Sequence, residues 1–282
     1  MAEHIDAAIR WATGQIAACS ESPRLDAELL LAHCLDKPRS YLYSWPEKPL
    51  DESCWQCFQQ LVRQRLQPMP VAYLLGRREF FSLEYAINSA ALVPRPETEL
   101  LIELALQRIP TAESWRVCDL GTGSGIIAVT VASQRPACRV SACDLDPRCL
   151  ALARDNADRH GVEVEFFESD WYLGLAPGAR FDLILSNPPY IAAGHPFLNQ
   201  GDLPAEPRLA LTPGPTGLEA LRTIIAGAPE FLEPGGWLMV EHGYDQQLPV
   251  AELMAAAGFV EIRCESDASD LPRASVGRLS GD

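Results

Sequence analysis

Lysine is scarce in this chain: Lys37 and Lys48 are the only two among 23 basic side chains in 282 residues. Against 38 acidic residues the formal charge is −15. Proteins that coat DNA or RNA carry a basic field to neutralise phosphates, so the balance argues against that class while leaving local nucleic-acid contact open. Long apolar runs are also missing. Nothing approaches the ~18 consecutive apolar residues of a membrane-spanning helix. The opening stretch, MAEHIDAAIRWATGQ, has no basic segment leading into an apolar one, and no secretory signal is expected.

Metal and disulfide signatures are equally sparse. The nine cysteines are scattered and odd in number, and Cys118, Cys138, Cys143 and Cys264 sit in apolar runs that suit reduced thiols. The one C-x-x-C, Cys54 to Cys57, has no second pair and no neighbouring histidine, so helix packing is its simpler reading. The five histidines show neither triad nor metal spacing, His242 reads as structural, and no metal is expected. This usage points to a reducing cytosol. What is present is an ordinary globular composition, 48% apolar and 22% charged, which excludes disorder and supports one large or two modest domains.

Residues 1–75 read as a small helical bundle. Ser22-Pro23 forms a cap and first-turn pair followed by Leu25, Leu29 and Ala32 at helical spacing. A further helix starts near Asp51 and stripes Trp55, Phe58 and Val62 before Pro68. Residues 76–93 alternate aromatic or β-branched with polar residues and read as a β-hairpin linker, with Asn88-Ser89 as a turn. From 94 to 282 strands alternate with helices. Strands are expected at 116–120, 139–144, 163–168, 181–186, 236–241, 259–264 and 274–279, and helices at 124–134, 147–160, 216–232 and 245–257. This pattern gives an α/β fold with a mostly parallel, Rossmann-like sheet whose ligands bind at the carboxyl ends of the strands. The charge is uneven: residues 1–85 hold 9 basic and 11 acidic side chains, leaving 14 and 27, or −13, for the rest.

Three motifs carry chemistry. Asp119-Leu120-Gly121-Thr122-Gly123-Ser124-Gly125 lies between a strand and a helix, where glycines let a ligand approach the main chain. Its third glycine comes one residue early for a dinucleotide fingerprint. The preceding Asp119 disfavours a phosphate and tolerates a cation. Asp144 ends the next strand, where a carboxylate accepts from ribose hydroxyls, and Asp146-Pro147 starts a helix. Asn187-Pro188-Pro189-Tyr190 follows the strand 181–186 and is the most specific signal. Its prolines carry no N–H, so the loop presents acceptors, the Asn187 side-chain oxygen and main-chain carbonyls, beside the flat face of Tyr190. A planar NH2 group can donate to Asn187 and to the Pro188 carbonyl while stacking on Tyr190.

Together these motifs resemble the class I S-adenosylmethionine-dependent methyltransferases that modify planar nitrogen, on adenine N6 of DNA or glutamine N5 of proteins. Two stretches narrow the resemblance. Pro94-Arg95-Pro96-Glu97-Thr98-Glu99, with the hairpin entry Gly76-Arg77-Arg78-Glu79-Phe80, is similar to the signature of the release-factor glutamine methyltransferases. The sister enzymes of a large-subunit ribosomal protein carry Pro-Arg-Ser-Pro there. The similarity extends through Glu241-His242-Gly243 and departs at Ser266–Arg273.

The resemblance implies that Asp119, Gly121, Thr122, Gly123, Ser124 and Gly125 wrap the methionine part of S-adenosylmethionine, the product being S-adenosylhomocysteine. Asp144 holds the ribose, Trp171 lies against the adenine and Asp170 reads its amino group. Asn187 touches cofactor and substrate, and Asn187, Pro188, Pro189 and Tyr190 hold and activate a glutamine. The implied partner is a class I peptide chain release factor, met through residues 1–75, by a monomer with no stable nucleic-acid or membrane partner. Arg95, Glu97 and Glu99 either cap a helix or close over the cofactor. The alternatives are a ribosomal-protein glutamine methyltransferase and an adenine-N6 DNA methyltransferase. The acidity and the lack of a basic recognition segment argue against the latter.

Overall fold

The computed structural model describes residues 4–281 and divides into two compact units. The first runs through Arg77 and includes the later segment Pro196–Glu206; the second comprises Arg78–His195 and Pro207 onward.

The first unit is helical: α1 (Ile5–Ile16), α2 (Pro23–Leu35), α3 (Arg39–Ser44), α4 (Glu52–Arg65) and α5 (Val71–Leu75). Ile5, Ile9, Leu30, Leu31 and Phe58 fill its core. Of the stripe expected on α2, Ala32 is buried, but Leu25 is exposed and Leu29 half-buried, and Asp26, Ala27, Glu28, Leu30 and Leu31 face inward. The reason is that this face buries paired acids. Arg65 meets Asp26 at 2.8 Å and Asp202 at 3.0 Å, and Glu28 takes Arg24, Arg39 and the Tyr43 hydroxyl. Buried carboxylates are tolerated only when so paired. Ser22 is the N-cap residue of α2, yet its side chain makes no cap bond; Asp51 does cap α4, accepting from Cys54 N at 2.7 Å. Cys54 is buried and Cys57 exposed, its sulfur 3.0 Å from that of Cys34, and no cysteine among the described residues is oxidised.

A hairpin forms from β1 (Arg77–Phe80) and β2 (Leu83–Ala86), and from Arg78 onward it belongs to the second unit. Its turn is Phe81-Ser82, both at positive φ, whereas Asn88-Ser89 lies beyond the second strand. Two consecutive left-handed residues are what a two-residue hairpin turn demands, and Glu99 accepts from the Phe81 N–H at 3.0 Å to hold it.

The main sheet contains β3 (Arg116–Leu120), β4 (Arg139–Asp144), β5 (Val164–Glu168), β6 (Phe181–Ser186), β7 (Leu232–Glu241), β8 (Phe259–Ser266) and β9 (Pro272–Leu279). Its order is β5-β4-β3-β6-β7-β9-β8. All neighbours are parallel except β9, which runs antiparallel to both β7 and β8. The helices are α6 (Thr98–Arg108), α7 (Ile126–Gln134), α8 (Pro147–His160), a single turn α9 (Arg208–Leu211), α10 (Glu219–Phe231) and α11 (Gln247–Ala256). Asp146 caps α8 by accepting from Arg148 N at 2.8 Å, as its position before a proline suggests.

The chain builds β3, β4 and β5 outward in one direction, then returns to place β6 on the other side of β3. The direction of winding therefore reverses between β3 and β6. A crevice opens outside the carboxyl ends of the strands at such a point. Leu120, Asp144, Ser186 and Glu241 all end their strands at this edge.

Candidate active site

The loop after β3 is shaped by glycines that no other residue replaces cheaply. Gly121 lies at φ +73, and a Cβ there would sit 3.2 Å from the Trp171 ring. Gly125 lies at φ +84, and a Cβ would meet Ala153 of α8 at 3.0 Å. The N–H groups of Gly121 and Thr122 both donate to the Cys143 carbonyl, at 3.0 and 2.9 Å, so the loop is bound to β4. Asp119 is fully buried. Its Oδ2 accepts from Thr122 at 2.6 Å, while Oδ1 meets no strict hydrogen-bond partner among the described residues and the Ala128 N–H nearby favours the carboxylate. Burial pushes its carboxyl up to about 7, with the nearby Asp144 charge adding to the rise.

Asp144 accepts from the Gly123 N–H at 2.8 Å and the Asp146 N–H at 2.9 Å, so one carboxylate joins the glycine loop to the start of α8. Burial raises its pKa against these hydrogen bonds. Trp171, itself at φ +51, lays its ring over Gly121, and its carbonyl accepts from Ser169 Oγ at 2.7 Å. Asp170 is exposed beside it. Asn156 of α8, buried completely, spends its amide on Ala86 N, Ala86 O and Ser124 O, tying the glycine loop to the hairpin.

Asn187-Pro188-Pro189-Tyr190 begins one residue beyond β6. Asn187 Nδ2 donates to Thr98 Oγ1 at 3.0 Å, and Thr98 Oγ1 donates to Glu241 Oε2 at 2.8 Å. The Tyr190 hydroxyl donates to Glu241 Oε1 at 3.2 Å. The Tyr190 carbonyl accepts from Gln246 Nε2 at 3.0 Å, and a Cβ on Gly217 would lie 2.5 Å from that same oxygen. Glu241 is 1% exposed, and burial pushes it up to about 7 despite the two hydroxyls and Arg273. Burial and the Glu241 charge hold the Tyr190 phenol above its ordinary range, so it stays protonated and donates.

The fold brings the loops together through adjacent strands: β3 and β6 pair in register, and Ser186 Oγ donates to the Leu120 carbonyl at 2.7 Å. The structure thus assembles Asp119, Gly121–Gly125, Asp144, Trp171 and Asn187–Tyr190 along one edge. Three positions in the network carry no role in the sequence reading: Thr98, Glu241 and Gln246. Glu241 had a signal, since it follows the buried run Leu238-Met239-Val240 on a strand ending at the site edge. His242 is enclosed, with Nδ1 near Gly243 O and Nε2 near Ser275 Oγ, both at 2.8 Å, and burial lowers its pKa. It reaches no group of the network above. No cluster of three or more His, Cys, Asp or Glu among the described residues is arranged to hold a metal, and no helix among them is long and apolar enough to cross a membrane.

The arrangement fits a nucleoside joined to a cationic amino-acid tail. Asp144 offers acceptors to sugar hydroxyls, Trp171 a flat surface, and Asp119 a buried carboxylate oxygen beside a loop whose close approach a Cβ would fill.

The chain is similar to several known proteins. Residues 7–76 match the family described as PrmC N-terminal domain, and residues 97–200 match the methyltransferase small domain. Among curated proteins, the release factor glutamine methyltransferase of Xylella fastidiosa (strain 9a5c) is 49% identical over 266 residues, covering 94% of this chain and 96% of that one. The protein of the same name from Burkholderia pseudomallei is 49% identical over 263 residues, covering 91% and 92%. Among solved structures, the Thermus thermophilus 16S rRNA N2 G1207 methyltransferase, in complex with AdoMet and guanosine, shares the fold with TM-score 0.52. It has 19% identity and covers 72% of this chain and 49% of that one.

Proposed function

The chain belongs to the release factor glutamine methyltransferases, and from that premise we propose that it methylates the side-chain N5 of the glutamine in the Gly-Gly-Gln motif of class I peptide chain release factors. The observation that carries this reading is the loop Asn187–Tyr190 at the end of β6, beside the glycine loop after β3: its side-chain donors are already engaged by Thr98 and Glu241, which leaves Asn187 Oδ1 and the Pro188 carbonyl as acceptors.

S-adenosylmethionine, when bound, supplies an electrophilic methyl on a sulfonium. Gly121–Gly125 and Asp119 hold its amino-acid tail, Asp144 its ribose, and Trp171 with Asp170 its adenine. The other half of the problem is the nucleophile. A primary amide nitrogen is weak because its lone pair is delocalised into the carbonyl, the resonance behind the ~18–20 kcal/mol rotation barrier of peptides. The site therefore has to aim the nitrogen. Asn187 Oδ1 and the Pro188 carbonyl accept its two N–H bonds, and Tyr190 supports the plane of the amide. These acceptors also stabilise positive charge developing on nitrogen. Holding the nitrogen in line with the methyl contributes up to ~7–11 kcal/mol in ideal cases. The loop contains no general base, and a methylated, protonated amide is acidic enough to lose its proton without one.

The helical unit serves as the recognition module in this reading. It exposes Tyr43 and Trp45, aromatic surface of the kind protein interfaces use. The −13 charge of residues 86–282 suits a partner that is locally basic and argues against duplex DNA. A reducing cytosol is the compartment this substrate implies. The test is incubation with labelled S-adenosylmethionine and, separately, a release factor, its Gln→Ala variant, or duplex DNA. Label appears on the first alone; label on DNA, or on the Gln→Ala protein, overturns the reading.

A further inference from the structure

We propose that Thr98 and Glu241 are positioning residues that fix which end of the Asn187 carboxamide faces the substrate. The inference rests on the methyl-transfer reading above and adds how the loop selects an NH2 group.

Ionised Glu241 only accepts. It takes the Thr98 hydroxyl at 2.8 Å and the Tyr190 hydroxyl at 3.2 Å. Thr98 has one proton and spends it on Glu241, so its oxygen can only accept from Asn187. The sole donor on a carboxamide is Nδ2, which therefore turns to Thr98, at 3.0 Å. Oδ1 is left on the opposite side, as the acceptor a substrate NH2 needs. Without the chain from Glu241 to Thr98, the Thr98 hydroxyl is free to donate to Oδ1. The amide can then reverse and set its own NH2 against that of the substrate, donor facing donor. The same polarity selects glutamine over glutamate, since two acceptors repel a carboxylate.

The groups facing Glu241 come from every element around it: Thr98 and Glu97 at the start of α6, Tyr190 from the loop after β6, Arg273 on β9, and the neutral His242 next in the chain. Arg273 favours the carboxylate and Glu97 opposes it. Burial outweighs these and pushes Glu241 up to about 7. A protonated Glu241 needs an acceptor for its own hydrogen and holds only one of the two hydroxyls well. The relay is intact above that pH and loosens below it.

The test measures methyl transfer to a release factor by the full chain and, in parallel, S-adenosylhomocysteine binding by calorimetry. Thr98→Val removes the donor and acceptor while keeping the shape; kcat falls about 10²-fold, the scale of a misplaced reacting group, and cofactor affinity stays within a few-fold. Thr98→Ser, which restores the hydroxyl, recovers most of that loss. The wild-type kcat drops as pH falls through about 7, and in Glu241→Gln the plateau is lower and this acid limb is gone. Thr98→Val turnover within threefold of wild type, or an unchanged acid limb in Glu241→Gln, overturns the inference. The second outcome would assign the limb to Asp119, the other carboxyl held near the same value. Transfer by the wild type with no loss in Thr98→Val refutes the positioning role alone, whereas no transfer by the wild type refutes the methyltransferase reading and with it this one.

Discussion

Ser186 Oγ donates to the Leu120 carbonyl at 2.7 Å, joining the residue before Asn187 to the residue before Gly121. The Asn187–Tyr190 loop and the glycine loop are thus registered by one buried hydrogen bond between neighbouring strands, on top of the β3–β6 ladder. Ser186→Ala leaves a buried carbonyl short of a partner, costing about 1–3 kcal/mol of stability. It also lowers kcat more than it weakens cofactor binding, because it loosens the alignment of two sites and not either site alone. Urea unfolding and steady-state kinetics check both; a kcat unchanged from wild type contradicts this role.

Gly121→Ala places a side chain at φ +73 and 3.2 Å from Trp171. The left-handed backbone alone costs about 1–2 kcal/mol. The displaced indole weakens S-adenosylhomocysteine binding as well. Calorimetry should show both a lower Tm and a higher Kd, and an unaltered Kd would separate Trp171 from the cofactor surface.

The pH dependence of Asp119 follows from its sign. Its carboxyl is raised from the ordinary range to about 7, so the folded chain binds more protons than the unfolded one between about 4 and 7. Stability contributed by this residue is present at low pH and lost as pH rises through that window. Asp119→Asn removes the loss, and its unfolding free energy relative to wild type increases from pH 5 to pH 8. A difference that stays flat across this range counts against a raised Asp119.

How much of this was legible in the sequence depends on what each residue responds to. Strands such as 116–120, 139–144 and 181–186 stand out because short segments rich in buried apolar residues (Val117-Cys118, Ala142-Cys143, Leu183-Ile184-Leu185) alternate with helical runs, and Asp146-Pro147 marks the start of α8 through its cap. The glycine loop and Asn187–Tyr190 were legible because their chemistry is local. The α2 face is only partly legible because its inward side carries Asp26 and Glu28, whose partners Arg65 and Arg39 lie 39 and 11 residues away. The hairpin turn was misplaced because Phe81-Ser82 carries no glycine or asparagine and is held by Glu99, 18 residues on. Thr98 and Glu241, 143 residues apart, gain a role only once the start of α6 lies against the end of β7. Residues whose partners are distant in the chain give no local pattern to read.

The helical unit makes its own prediction. Arg65 is 3% exposed and bridges Asp26 to Asp202. Arg65→Ala removes the buried cation from between two acids and leaves Asp26 with its serine hydroxyls alone among the described residues, destabilising the unit by about 3 kcal/mol, the low end for a broken buried pair. It also speeds hydrogen exchange in Pro196–Glu206, the segment that Asp202 anchors. Loss of stability without faster exchange there would place the damage elsewhere.

The most direct measurement is tandem mass spectrometry of a release factor treated with the wild-type chain or with Asn187→Ala. The expected result is one methyl on the side-chain nitrogen of the Gly-Gly-Gln glutamine from the wild type, at least about 10²-fold less from Asn187→Ala, and a far smaller loss of S-adenosylhomocysteine binding. A methyl on any other atom, or an undiminished yield from Asn187→Ala, contradicts the assignment of Asn187 as the group that holds the reacting amide.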